Sequence, residues 1–290
     1  MNGGLKSDRR ELVLDFGTTS GEQRRRFNRT LVAGVCVFGT MVVLSIFAPW
    51  VTNGAPIRQD LLNPLVGLSA AHPLGTDQLG RDIWARVVYG GRTDLHIACL
   101  AVLLPFILGT TLGCLAGYFG GWVDFVVMRL VEVVVAFPFY VLVIALVFVL
   151  GPGTRSIYIA ITVVGWVSYA RIVRGEVLVV KRQEYVLAAR SGGLNRRRII
   201  VRHVLPNVIT QAIVFAMSDV VLDILVIVTL GYLGLGVPPP TPDWGQMISD
   251  GQAYITTNPS LSIIPGIAVM ITGFGLSLIG DGLADVLRPE

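Results

Sequence analysis

An all-α, polytopic membrane protein with six transmembrane helices is the fold class this sequence predicts, and three observations carry the prediction. Of 290 residues, 53% are hydrophobic and only 14% are charged, too apolar a balance for an ordinary soluble domain. Long apolar runs recur at 31–48, 95–118, 123–150, 157–172, 208–235 and 261–278. All but the short fourth have the length that crosses a hydrocarbon core of about 30 Å. The cations gather between the runs: of 23 Lys and Arg, seven lie in residues 1–30 and nine in 171–206. Cytoplasmic segments of membrane proteins carry that bias, so the basic balance speaks of orientation rather than of an acidic partner.

Residues 1–30 hold seven basic and four acidic residues and read as a partly disordered cytoplasmic tail. The first apolar run ends at Pro49-Trp50, has no small-x-small cleavage site after it, and reads as a retained anchor. Residues 51–93 are polar and extracytoplasmic; within them Asp82 to Gly90 alternates apolar and polar positions as an amphipathic interfacial helix does. In the second span Gly109, Gly113 and Gly117 recur every four residues, leaving one face as bare backbone for helix packing. The third span carries Arg129 and Glu132, three apart and expected to pair, and Phe137-Pro138, expected to bend it.

The fourth span closes at Arg171 and Arg174, and the fifth carries Asp219 and Asp223, four apart on one face. The loop at 237–260 contains no Lys or Arg and is placed outside. With both ends inside, six spans put 17 Lys and Arg in cytoplasmic segments and five outside. The permease body is thus 31–284, the cytoplasmic loop 174–206 and the C-terminal tail 285–290.

The stretch from Glu184 to Asn207, EYVLAARSGGLNRRRIIVRHVLPN, organises the rest. Glu184 to Ser191 is built of helix formers, and Gly192-Gly193 permits a sharp corner. Asn195 suits the N-cap of a second helix from Arg196 to His203 that Pro206 ends. Small Ala188 and Ala189 leave room for another protein's surface. The run Arg196-Arg197-Arg198 is a juxtamembrane cluster, a sign of topology or lipid contact rather than of nucleic acid.

Ala188-Ala189-x3-Gly193 followed by Leu205-Pro206 resembles the EAA loop of bacterial ABC-importer permeases. His72-Pro-Leu-Gly-Thr-Asp-x-Leu-Gly-Arg-Asp82 resembles the C-type permease subunit of their peptide and nickel branch. Further matches are GYFGGWVD at 117–124, AFP at 136–138, RIVRGE at 171–176, LGLGVPPPTPDWG at 233–245 and GDGLADVL at 280–287. The resemblance implies the type I importer permease fold, with the loop docking into a cytoplasmic ATPase through Glu184, Ala188, Ala189, Arg190, Gly193, Asn195, Arg196, Arg198, Leu205 and Pro206. It also implies a heterodimer with a second six-span permease, two ATP-binding subunits inside and a substrate-binding protein outside. Cargo in this branch is peptide, with nickel complexes, glutathione and opines as alternatives. One departure is visible: many relatives have an acidic residue where this chain has Ile227.

There is no GxxxxGK[ST] loop, and the only lysines are Lys6 and Lys181, so ATP chemistry is expected in a separate subunit. Nothing has the spacing of a metal, cofactor or nucleophile site. Asp219 and Asp223 keep two readings open. They form a structural pair bonded to a neighbouring span, or they line the translocation pathway. As an ion site they would also support a secondary carrier, the alternative from another class.

Overall fold

In the computed structural model, residues 19–52 and 56–287 are described, and helix is their dominant structure. The first helix, α1, spans Thr19–Ile46 and so begins inside the segment read as a tail, whose residues 1–18 lie outside the described residues. A single turn, α2 (Ala48–Val51), follows. The third helix, α3, runs without a break over Ile83–Phe119, about 55 Å at 1.5 Å per residue, and therefore projects well beyond a hydrocarbon core.

Asp82 caps it, accepting from the Ala85 N–H at 2.7 Å, and His72 Nδ1 lies 2.7 Å from the other Asp82 oxygen. The interfacial helix expected at 82–90 is thus the first part of α3. Its faces are covered, with Ile83, Arg86, Val87 and Val88 all buried. The alternation looked amphipathic because Arg86 is charged, yet Arg86 turns inward towards Asp77 (3.5 Å), which also holds Arg81 (2.6 Å).

The expected third span is two helices, α4 (Gly121–Val135) and α5 (Phe139–Leu150), meeting at 87°. Pro138 stands at the junction, where its missing N–H and fixed φ end one helix and open the next. Arg129 and Glu132 pair at 2.5 Å on the exposed side of α4. The fourth span, expected to be short, is the 27-residue helix α6 (Thr154–Val180), with Arg171 and Arg174 inside it.

After α7 (Glu184–Ser191) comes α8 (Arg196–Ile199), which passes through one π turn (Ile200–Val204) into α9 (Leu205–Tyr232). Pro206 therefore does not end the second helix of the loop. It sits in the first turn of α9, where a proline is tolerated, and the widened turn before it absorbs the misfit. The fifth span accordingly ends at Tyr232, not at 235. The outer loop carries a helix of its own, α10 (Trp244–Gln252), and α11 (Ser260–Leu287) continues through Gly280-Asp281-Gly282. Among the described residues five helices are long and apolar enough to cross a membrane, or six if the bent α4–α5 pair counts as one span.

Close backbone approach holds the spans together. A Cβ on Gly109 would lie 2.3 Å from the Trp166 carbonyl oxygen, and one on Gly113 would lie 2.5 Å from that of Ala170. At Gly117 it would meet Val177 at 2.8 Å. The glycine face of α3 thus packs on α6 of the same chain. Helices α1 and α11 meet in the same way: a Cβ on Gly34 would be 2.8 Å from Ile279 N, and one on Gly275 would be 2.9 Å from Phe38 N. Side chains of α6 and α9, among them Ile157, Ile161, Val173, Ile224, Ile227 and Leu230, fill the core between. Trp244 of α10 is 1% exposed and donates through Nε1 to the Val87 carbonyl at 2.8 Å, pinning the outer loop onto α3.

Candidate functional site

Helix α7 ends as its glycines require. Gly193 adopts φ +78°, its N–H bonds the Arg190 carbonyl at 3.1 Å, and the Leu194 N–H reaches back to Ala189 at 3.2 Å. These two bonds are the Schellman pattern, which satisfies carbonyls that would otherwise be orphaned at the helix end. Asn195 then opens α8, its side-chain oxygen accepting from the Arg197 N–H at 3.2 Å. Five residues separate the end of one helix from the second residue of the next, so the two are held in a fixed corner.

Burial divides the segment into an anchor and a free face. Val186 and Ile199 are buried in the core, and Leu194 and Ala189 pack partly against it. Glu184, Ala188, Arg190, Gly193, Asn195, Arg196 and Arg198 are exposed. Of the two alanines, Ala188 faces outward and Ala189 turns towards the core, one reason being the 100° step between consecutive helix positions. Leu205 is half-buried and Pro206 exposed, about a turn and a half beyond α8, in the continuous helix that leads to the membrane.

Two contacts that sequence reasoning did not pair tie the end of α6, which leads into this segment, to two other helices. The Arg174 guanidinium of α6 grips Asp124 in the first turn of α4 through two parallel bonds, the Nη2–Oδ2 one at 2.6 Å. Lys181, at the C-terminal end of α6, donates to the Gly117 carbonyl of α3 at 2.6 Å. The clue lay in the motifs themselves, since Asp124 closes GYFGGWVD and Arg174 sits in RIVRGE. No residue pattern indicated which member of one met which member of the other.

The fifth-span carboxylates differ from each other. Asp219 is half-buried and accepts from the Tyr169 hydroxyl of α6 at 2.7 Å, while Tyr169 stacks edge-on against Phe106 and Phe215. Asp223, one turn further, is 1% exposed, with one carboxyl oxygen lacking a hydrogen-bond partner. Three elements thus meet at Tyr169, and the two aspartates differ in exposure and in hydrogen bonding.

At the opposite end of the spans, Asp94 and Asp243 converge on the N-terminus of α10. The Trp244 N–H donates to Asp94 at 3.0 Å, and Asp243 accepts from the Gln246 N–H at 2.9 Å. Burial pushes the Asp243 carboxyl above the usual carboxylate range, against the pull of backbone N–H groups from Gln246, Gly245 and Val237. Among the described residues no group of three or more His, Cys, Asp and Glu is placed to hold a metal.

Comparison with known proteins converges on one kind of molecule. The profile of the family described as binding-protein-dependent transport system inner membrane component matches residues 109–290. The chain is 39% identical over 263 residues to a dipeptide transport system permease protein of Alkalihalophilus pseudofirmus, covering 91% of this chain and 86% of that one. It is 38% identical over 272 residues to a glutathione transport system permease protein of Pectobacterium atrosepticum, covering 92% and 89%. An oligopeptide transport system permease protein of Bacillus subtilis is 38% identical over 267 residues, covering 92% and 88%.

Proposed function

Because the chain belongs to the family of binding-protein-dependent transport system inner membrane components, we propose that it forms half of the translocation pathway of an ATP-driven peptide importer. In this reading a second six-span permease supplies the other half, two ATP-binding subunits supply the energy, and an extracytoplasmic binding protein delivers cargo. Glutathione is the alternative cargo that the relatives suggest, being itself a small peptide. The positive-inside bias puts both termini and the corner between α7 and α8 in the cytoplasm.

The observation that carries the reading is the corner itself. An exposed face of Ala188, Arg190 and Gly193 stands on a base of Val186 and Ile199 buried in the core. A push on that face is therefore transmitted to packed spans rather than absorbed by a loop. The Arg174–Asp124 and Lys181–Gly117 contacts extend the same rigid unit to α4 and α3. Closure of the ATPases would move this unit and switch the pathway between its two openings.

Within this scheme Asp219 is the pathway carboxylate and Asp223 a structural one. An ionised carboxylate facing lipid near mid-membrane costs on the order of 3 kcal/mol, so the exposed part of Asp219 has to meet protein or water. Facing the pathway, it would favour cargo with an amine, such as a peptide N-terminus.

The test is Gly193→Val. A β-branched residue at φ +78° is strained by roughly 1–2 kcal/mol, while the space around the added Cβ is open. The variant is expected to insert and assemble normally and to lose dipeptide uptake. Uptake at the wild-type level would remove the corner from the coupling route.

A further inference from the structure

A cavity of about 410 Å³ opens between the end of α3 and the α6–α7 junction. Its walls are Tyr118 and Phe119 from α3, Lys181 and Arg182 after α6, Val186, Leu187 and Arg190 from α7, and Arg196 from α8. Four cations therefore converge on one hollow whose remaining surface is aromatic and aliphatic.

Their charge is poorly compensated. Lys181 spends a donor on the Gly117 carbonyl and lies near Asp124, which is already gripped by Arg174. Arg182, Arg190 and Arg196 form no ion pair among the described residues. Glu184, the acidic residue within the same stretch, is exposed at the opening turn of α7.

The depth of the cavity is fixed by its neighbours. Phe119 is the last residue of a membrane-spanning helix, Gly120 ends that helix, and Trp122 stands exposed just beyond. An exposed aromatic band of this kind marks the headgroup layer of a bilayer. A ligand there meets cations on one side and apolar surface from Phe119 and Leu187, both about half exposed, on the other. A free phosphate would use only the first of these surfaces, whereas a phospholipid uses both.

We infer that this cavity is a binding site for the headgroup of an anionic phospholipid, its phosphate held by Lys181, Arg182, Arg190 and Arg196. Arg190 and Arg196 also belong to the stretch proposed to dock an ATPase, whereas Lys181 and Arg182 precede it, so a change at Arg182 reads the lipid site apart from docking. Bound lipid would neutralise the cluster and brace α7 against α3.

Phosphatidylglycerol retained by the purified importer complex, after exchange into micelles with equal phosphatidylglycerol and phosphatidylcholine, is measurable by native mass spectrometry. Preferential retention of phosphatidylglycerol is expected, weakened about fivefold in Arg182→Gln and kept in Arg182→Lys, as one juxtamembrane cation is worth. Excess inorganic phosphate should not displace the lipid. Equal retention of the two lipids, or wild-type retention in Arg182→Gln, would overturn the site. Displacement by inorganic phosphate would overturn the lipid as its occupant. Loss of an ATP-binding subunit from Arg182→Gln with lipid retention unchanged would assign the cations to a protein partner and likewise overturn it.

Discussion

Arg174 and Asp124, fifty residues apart in sequence, are joined by a two-pronged ion pair that fastens α6 to the first turn of α4. The arrangement uses the planar fork of arginine against both carboxylate oxygens, and Asp124 also sits where a helix N-terminus favours negative charge. Its value is positional, since it carries α4, and with it the 87° elbow to α5, along with any movement of the end of α6.

A double-mutant cycle measures that linkage. Arg174→Ala, Asp124→Ala and the double variant are expected to show a coupling of about 1–2 kcal/mol in thermal unfolding of the detergent-solubilised protein. Arg174→Lys should recover less than half of it, because an ammonium offers no second prong. A coupling near zero would mean the pair merely decorates a contact held by packing.

Gly113→Ala tests the α3–α6 seam. The new methyl would lie 2.5 Å from the Ala170 carbonyl oxygen, so the helices must separate, at a cost of about 1–3 kcal/mol. Gly39→Ala, with no atom within 4 Å of its added Cβ, should be neutral or slightly stabilising. Equal unfolding temperatures for the two variants would show that the seam tolerates the extra atom.

The two aspartates of α9 are separable. Asp219→Asn is expected to slow uptake of zwitterionic peptide several-fold while leaving assembly and ATPase activity in place. Asp223→Asn should leave transport unchanged, since its carboxyl is sealed from the surface. Tyr169→Phe removes the donor to Asp219 and should lower stability by about 1 kcal/mol. Unimpaired uptake in Asp219→Asn would leave both carboxylates structural.

The pH response of the outer loop follows from Asp243. Burial raises its carboxyl pKa above the unfolded value, so the folded state holds a proton that the unfolded chain releases. Its contribution to stability is complete below the unfolded pKa and fades as pH rises through the folded one. Asp243→Asn keeps an acceptor for the Gln246 N–H without the ionisable group. The unfolding temperature of the variant should therefore fall less than that of the wild type as pH rises above the ordinary carboxylate range. Parallel curves would place the titration elsewhere.

Much of this architecture was legible in the chain because membrane physics is strict. Each span must be apolar over a fixed length, and the glycine repeat of α3 and the proline at 138 act locally. The corner after Ser191 was equally readable, since Gly193 and Asn195 leave few alternatives. What escaped was whatever depended on distant partners. Arg86 looked like the wet side of an interfacial helix because its counter-ion, Asp77, lies outside any helical period. Pro206 looked like a stop because sequence does not show that the preceding turn widens. Gly34 and Gly275, which seat the first helix on the last, lie 241 positions apart, and no local pattern joins them.

Cross-linking at the corner tests the central claim most directly. In a chain whose native Cys36, Cys99 and Cys114 are replaced, Ala188→Cys places a thiol on the exposed face of α7 and Ala189→Cys places one towards the core. With the importer assembled in membranes, Ala188→Cys should cross-link to an ATP-binding subunit through a short bifunctional reagent. The yield should change when ATP is bound, and Ala189→Cys should react weakly in either state. A nucleotide-independent yield, or no adduct at Ala188→Cys in a complex that still hydrolyses ATP and transports peptide, would contradict the account.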